Sequence, residues 1–287
     1  MKLLILLPIL AALVSSQTFQ YQQDQAQSLA AFSLAAYCKR SSLEQWNCGF
    51  PCQQNAGGLS DVIYLFNSKL DASGYMGYYK NQDAIVIAFR GTDNIKNWIA
   101  NIDVIKTSYP LCNNGCKVHQ GFYYQFNQIK SDMESGFKTL RQKYPNSKVF
   151  ITGHSLGAAV SAHAVPVIYQ LNNNKQIDIF YNFGSPRVGD QKYASWFNSQ
   201  NFVSLFGRIT NGADPVVHLP PMGYPIQFYH YNHEIFYPSF KSQGTKHVQC
   251  FKGEDNSCAD GVLVDTSISD HLSYFGWDWT NEANKCE

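Results

Sequence analysis

The apolar run Val149-Phe150-Ile151-Thr152 stops at Gly153-His154-Ser155-Leu156-Gly157 and gives way to a small-residue stretch. Few folds accommodate that junction. β-Branched and aromatic residues before it read as a buried strand. Leu156 to Tyr169, rich in Ala and Leu, reads as a helix with a small-residue face. The G-x-S-x-G between them sets its serine on a sharp strand-to-helix turn, and its glycines let strand and helix approach closely. Such a turn lifts the Ser155 hydroxyl clear of the sheet. It also aims the unpaired N–H groups of the helix start at whatever the serine attacks. A short motif arises by chance, and the plain alternative is a βα turn with a solvent-facing serine. The choice needs a base, an acid and an oxyanion hole.

The rest of the chain supplies a matching frame. Gln25 to Tyr37 is a helix candidate whose face carries Leu29, Phe32, Leu34 and Ala36. Asp61 to Phe66 reads as the entrance to a strand, and Gly74 to Lys80 alternates around Tyr75, Met76 and Tyr78. Ala84 to Phe89 is continuously apolar, so a strand buried on both faces. Gln120 to Tyr144 places Phe122, Phe126, Ile129, Met133, Phe137 and Leu140 at steps of three and four, an amphipathic helix ended by Pro145. Asp178 to Phe183 and Val203 to Thr210 are further strands. Strands alternating with helices predict an α/β fold, a mainly parallel sheet with helices on both faces. Ser155 then falls at the carboxyl end of a central strand, where open α/β sheets place their chemistry.

The first residues have a separate logic. Met1-Lys2 is followed by Leu3 to Val14, almost all Leu, Ile and Ala, and then by Ser15-Ser16 and a Gln-rich stretch. This predicts a secretory signal peptide over residues 1–16 and a single domain over 17–287. The apolar run falls short of the ~20 residues that span a bilayer, so no transmembrane anchor is expected. Secretion makes disulfides the default for the eight cysteines. Cys48/Cys52 and Cys112/Cys116 are spaced to close small loops, and Cys250/Cys258 could close another. Cys38 and Cys286 remain to tie the two ends together. Zinc is the rival use of the close pairs, and the lack of matching His spacing argues against it. With 22 basic and 21 acidic residues the charge is nearly balanced, which disfavours nucleic acid as a partner.

A nucleophile of this kind takes its acid and then its base from later in the chain. Asp214, in Asn211-Gly212-Ala213-Asp214-Pro215 after the strand Val203 to Thr210, is the expected acid. Asp178 lies at a strand start, the wrong end of the sheet, and Asp190 lies in a turn. A turn-capping aspartate before proline is the plainer reading of Asp214. His218, His230, His233, His247 and His271 all follow the serine; His271 is favoured by its late position and His247 comes next. One oxyanion donor is the N–H of Leu156. The second is expected from Phe89-Arg90-Gly91-Thr92, where Gly91 permits an unusual backbone and Thr92 adds a hydroxyl.

Taken together these residues resemble the secreted fungal-type class 3 lipases, within the α/β-hydrolases. The pieces that match are Phe89-Arg90-Gly91-Thr92, Asn97-Trp98-Ile99, His119-Gln120-Gly121-Phe122, the Ser155 elbow and Gly184-Ser185-Pro186-Arg187-Val188-Gly189. Asp214 through Leu219-Pro220-Pro221, His271-Leu272 and Tyr274-Phe275-Gly276 complete them. Order and spacing agree over nearly the whole of residues 17–287. The resemblance implies Ser155, Asp214 and His271 as catalytic triad and Thr92 and Leu156 as oxyanion donors. It also supports Cys38–Cys286, Cys48–Cys52 and Cys112–Cys116, while Cys250–Cys258 rests on spacing alone. Ala158 stands where the family usually has a second glycine.

Asp93 to Ile102 predicts a short amphipathic helix: Asp93-Asn94 can cap it, and Ile95, Trp98, Ile99 and Ile102 share one face. In the family that segment is a lid that opens at a lipid surface; otherwise it is an ordinary surface helix. The expectation is therefore a secreted, monomeric serine esterase cleaving triacylglycerol at a lipid–water interface, without metal or cofactor. Phospholipase A1 and feruloyl esterase are near alternatives on the same fold, and a non-catalytic lipid-binding protein is the alternative of a different class.

Overall fold

Every residue of the strand Ala84–Phe89 is buried, with alternate side chains entering two different cores. The computed structural model describes residues 21–55, 57–238, 246–262 and 266–286. The expected signal peptide, residues 1–16, lies outside them. In chain order the elements are α1 (Gln23–Ala35), α2 (Arg40–Glu44), α3 (Phe50–Gln53), β1 (Leu59–Asn67), β2 (Ala72–Tyr79), β3 (Ala84–Phe89) and α4 (Ile95–Asn101). Next come β4 (Lys106–Ser108), β5 (Lys117–His119), α5 (Gln120–Lys143), β6 (Lys148–Gly153), α6 (Leu156–Leu171), β7 (Ile177–Phe183), α7 (Gln191–Ser199) and β8 (Val203–Asn211). The last are β9 (Glu234–Tyr237), β10 (Val248–Cys250), α8 (Ile268–His271), β11 (Ser273–Tyr274), β12 (Trp277–Asp278) and α9 (Trp279–Asn284).

The main sheet runs β1-β2-β3-β6-β7-β8-β9-β10. Its five central strands, β3, β6, β7, β8 and β9, are parallel, and antiparallel strands flank them on both sides. Parallel neighbours need crossover helices, and these cover both faces. Ile85, Ile87, Phe89, Val149 and Ile151 face the core shared with α5 and α6. Ala84, Val86, Ala88 and Phe150 face the core shared with α1 and Trp279. The six apolar side chains expected on the inner face of α5 are all buried there. At ~1.5–3 kcal/mol for each fully buried large side chain, that face is a main source of stability.

The α6 helix is buried around nearly its whole girth from Leu156 to Ile168, which its small residues allow. It continues to Leu171, past the expected end at Tyr169 and through Pro166, which gives up one helical hydrogen bond. The α7 helix was not expected from the pattern. It is capped by Asp190, whose side chain accepts from the Tyr193 N–H at 2.9 Å, and it buries Tyr193, Ala194 and Phe197. All eight cysteines form disulfides, Cys38–Cys286, Cys48–Cys52, Cys112–Cys116 and Cys250–Cys258, so none of these thiols is available to zinc. No helix among the described residues is long and apolar enough to cross a membrane.

Candidate active site

Ser155 joins β6 to α6 with φ 57° and ψ −129°, a backbone that residues other than glycine avoid. The surroundings fix it there. A Cβ on Gly153 would stand 2.3 Å from the Gly157 carbonyl oxygen, and one on Gly157 would stand 2.3 Å from that of Phe89. The two glycines of the motif are thus demanded by the close passage of the α6 start against β3 and β6. Ala158 fits the second-glycine position fully buried. The Ser155 N–H donates to the Phe183 carbonyl at 2.9 Å, tying the elbow to β7.

Asp214 and His271 meet although 57 residues separate them. His271 Nδ1 lies 2.8 Å from Asp214 Oδ2, with both side chains fully shielded from solvent. An ionised carboxylate only accepts, so Nδ1 carries the proton and Nε2 presents its lone pair. Asp214 Oδ1 accepts the Val216 N–H at 2.8 Å, so the turn-capping role is also filled, by the other oxygen. The loop bearing His271 is held to β8: Asn211 donates to the carbonyls of Asp270 at 3.0 Å and Ser273 at 2.7 Å, and Asp270 accepts the Ala213 N–H at 2.8 Å. His271 closes the short helix α8, where the sequence suggested a loop. Beneath its ring is Gly184, with φ 55°, where a Cβ would stand 2.7 Å from Nδ1. The Tyr274 hydroxyl is raised well above its ordinary pKa by burial and by the Asp214 charge.

Ser155 Oγ and His271 Nε2 are both buried side-chain atoms with no hydrogen-bond partner. One can donate and the other accept, the inventory a nucleophile and its base need.

The other sequence candidates have other employment. Asp178 accepts the Val149 N–H at the opposite end of the sheet, and Asp190 caps α7. His247 packs edge-on against Tyr21, His230 bonds the Val217 carbonyl at 2.7 Å, and His218 lies 3.8 Å from Asp260. No group of three or more His, Cys, Asp or Glu among the described residues is arranged to hold a metal ion.

The expected oxyanion loop lies against the elbow. A Cβ on Gly91 would stand 3.1 Å from Ser155 Cβ and 2.8 Å from the His154 carbonyl oxygen. Thr92 Oγ1 accepts the Asn94 N–H at 3.2 Å, and Asn94 in turn caps α4 by accepting the Asn97 N–H at 3.1 Å. The α4 helix buries Ile95 and leaves Trp98 and Ile99 half-buried, with Trp98 stacked on Phe122. Cavities flank this helix on two sides. One of about 430 Å³ is lined by Tyr37, Thr92, Ile95, His154, Leu272 and Trp279. The other, about 330 Å³, is lined by Trp98, Ile102, His119, Phe122 and Leu156. Ser155 itself has no accessible surface.

Two features escaped the sequence. One is a buried charge cluster: Arg187 donates to Glu254 at 2.9 Å, to Asp260 at 3.1 Å and to the His218 carbonyl at 2.5 Å, so it braces the segment after Asp214. Burial and Glu254 push the Asp260 carboxyl up, while the Arg187 guanidinium pulls Glu254 down. The other is the pair Tyr37 and His154, bonded at 2.8 Å. These partners are far apart in the chain, and no local spacing announces them.

Residues 86–224 match the family model described as Lipase (class 3). The chain is 33% identical to a lipase of Rhizomucor miehei over 208 residues, 72% of this chain and 56% of that protein. It is 30% identical to secreted mono- and diacylglycerol lipase A of Penicillium camembertii over 241 residues, 82% of this chain and 75% of that protein. Among solved structures, a triacylglycerol lipase whose catalytic centre is described as a serine protease triad superposes with a TM-score of 0.80. It is 27% identical, covering 91% of this chain and 96% of that one. The matches take in less than two thirds of the length of the Rhizomucor and Rhizopus relatives.

Proposed function

The chain belongs to the class 3 lipase family, and on that premise we propose that it is a secreted serine hydrolase of lipid esters, cleaving triacylglycerol at an oil–water surface. The observation that carries the reading is the His271–Asp214 bond, which fixes the imidazole proton on Nδ1 and leaves Nε2 free beside the elbow fold that bears Ser155.

Ser155 Oγ attacks the ester carbonyl carbon while His271 Nε2 takes the hydroxyl proton. Asp214 holds the ring and stabilises the imidazolium. The oxyanion is held by the backbone N–H groups of Thr92 and Leu156, with the Thr92 hydroxyl available beside them. His271 then gives its proton to the departing alcohol, leaving an acyl group on Ser155. Water repeats the sequence and frees the fatty acid. Every step is acid–base or nucleophilic chemistry of these side chains. A non-catalytic lipid binder has no use for a base with its lone pair held free in a buried pocket.

With Ser155 covered, substrate needs α4 to move. Ile95, Trp98 and Ile99 are the apolar side of this lid, and an oil surface is the environment in which exposing them costs least. The signal peptide over residues 1–16 and the four disulfides support export, as does the secreted Penicillium relative. That relative also favours a second reading, in which mono- and diacylglycerols are the preferred substrates. A hydrolysis panel tests both: emulsified triacylglycerol, diacylglycerol, phosphatidylcholine, a soluble short-chain ester and methyl ferulate. Fastest release from triacylglycerol is the expected result. Preference for phosphatidylcholine or methyl ferulate would overturn the substrate assignment, and inactivity on all five would overturn the enzyme.

A further inference from the structure

We infer that Tyr37 and His154 are positioning residues: two directed hydrogen bonds, and the seat of the Tyr37 hydroxyl on Gly91, set the oxyanion loop and the base in register with Ser155. The inference rests on the catalytic reading above.

The direction of each bond follows from what the atoms can do. His154 Nε2 lies 2.8 Å from the His271 carbonyl oxygen, which only accepts, so Nε2 carries the proton. His154 Nδ1 is then an acceptor, and the Tyr37 hydroxyl at 2.8 Å donates to it. The same Tyr37 hydroxyl packs against Gly91, where a Cβ would stand 2.3 Å from its oxygen. The chain therefore runs from the Tyr37 hydroxyl, seated on Gly91, to His154, and from His154 to the His271 carbonyl. Reversing the imidazole tautomer would set a lone pair against a carbonyl oxygen.

The plain reading is a buried histidine whose needs happen to be met. The endpoints argue for more. Gly91 precedes Thr92, His154 precedes Ser155, and the last link ends on His271 itself. Three separate segments, after β3, after β6 and at the end of α8, are joined at the residues the reaction needs. The ring also packs on those groups: the His154 centroid is 4.5 Å from that of His271 and 4.5 Å from that of Trp279. Tyr37 is adjacent in sequence to Cys38, which is bonded to Cys286, so the chain's outer end is anchored covalently. Burial, with His271 nearby, holds the His154 pKa well below its ordinary value, so it stays neutral while His271 gains and loses its proton.

Removing the Tyr37 hydroxyl leaves His154 Nδ1 without its partner and opens space beside Gly91, while the ring still fills its place. The lost alignment weakens interactions made in the transition state more than substrate binding, so kcat falls and KM holds. Tyr37→Phe is measured on a soluble short-chain ester, beside wild type and Ser155→Ala. We expect kcat to drop by about 10–100-fold, less than loss of an oxyanion donor outright, with KM changed by less than about twofold. His154→Gln, which keeps a donor and an acceptor, should retain more kcat than His154→Ala. Independently of activity, the ¹⁵N imidazole spectrum of His154 should report a neutral ring protonated on Nε2 from pH 5 to 8. Wild-type kcat in Tyr37→Phe, a loss carried wholly by KM, or a His154 ring protonated on Nδ1 would overturn the inference. An inactive wild type whose His154 spectrum is as expected would instead locate the failure in the catalytic reading.

Discussion

Trp98 of the short helix α4 stacks on Phe122 at the start of α5, with ring centroids 6.1 Å apart and planes 18° from parallel. That contact, with buried Ile95, holds α4 in place, and on the proposed reading α4 is the lid that covers Ser155. Lifting the helix in water exposes its apolar face at about 25 cal/mol per Å², so a few hundred Å² costs several kcal/mol and the open form is rare. Against oil the same face meets lipid and the population shifts to open. Hydrolysis should therefore rise sharply once substrate passes its solubility limit. Trp98→Ser should flatten that rise more than it slows cleavage of a soluble short ester. A smooth hyperbolic dependence through the limit, unchanged in Trp98→Ser, would leave a serine esterase without a lid.

Cys38 and Cys286 are bonded across a sequence separation of 248 residues, with Cα atoms 5.2 Å apart. In the chain-entropy model closing so long a loop stabilises by about 5 kcal/mol, an upper figure. The double variant Cys38→Ser, Cys286→Ser should unfold at clearly lower denaturant than wild type. Equal midpoints and equal slopes would show that the link contributes nothing measurable.

Gly184 has φ 55°, and a Cβ there would meet the His271 ring. Gly184→Ala should strain the backbone and push the imidazole off Asp214. The expected result is a loss of kcat of about 100-fold or more with a folded circular dichroism spectrum, since a displaced base costs most of its catalytic contribution. Retained kcat would show that the ring has room to shift harmlessly.

Stability should rise from pH 3 toward neutrality, because three depressed histidines outweigh one raised carboxyl. Burial, with His119 next, pushes the His163 pKa down from 6.5 to about 3, so the native ring stays neutral where the unfolded one takes a proton. A depressed histidine contributes stability that is present above its ordinary value and lost as pH falls toward 3. His154 and His230 shift the same way. Asp260 has the opposite sign: burial and Glu254 push it up from 3.8 to about 7, so its contribution is present in acid and lost as pH rises through 7. Thermal melts from pH 3 to 9 should show a milder acid loss in His163→Phe and a steeper rise from about pH 4 to 7 in Asp260→Asn. Profiles matching wild type in both variants would contradict the assignment.

What could be read from the sequence was what has a period or a fixed local spacing. The strand–elbow–helix junction, β3 and the α5 face belong there; α5 itself ends within one residue of expectation because Pro145 stops it. The α4 helix was also legible, from its Asn94 cap and the spacing of Ile95, Trp98 and Ile99. The short strands β9 and β10 hold too few residues for a periodic signal, whereas α7 carried one that went unread, an Asp190 cap with Tyr193 and Phe197 four residues apart. His271 was chosen from five histidines by chain order and resemblance, whereas in the structure its bond to Asp214 picks it out. The Tyr37–His154 chain and the Arg187 cluster had no local trace. Their partners lie 117, 67 and 73 residues apart, and only the folded sheet brings them together.

The central claim, that Ser155 attacks a lipid ester, is tested most directly by covalent capture. An alkyl phosphonate carrying a good leaving group, added to the protein with a dispersed lipid surface, should phosphonylate a single residue. Mass mapping should place the adduct on Ser155, with stoichiometric loss of triacylglycerol hydrolysis. Ser155→Ala should take up no label and lose kcat by roughly 10⁴-fold or more. An adduct elsewhere, or a Ser155→Ala protein that hydrolyses triacylglycerol at the wild-type rate, would contradict the account.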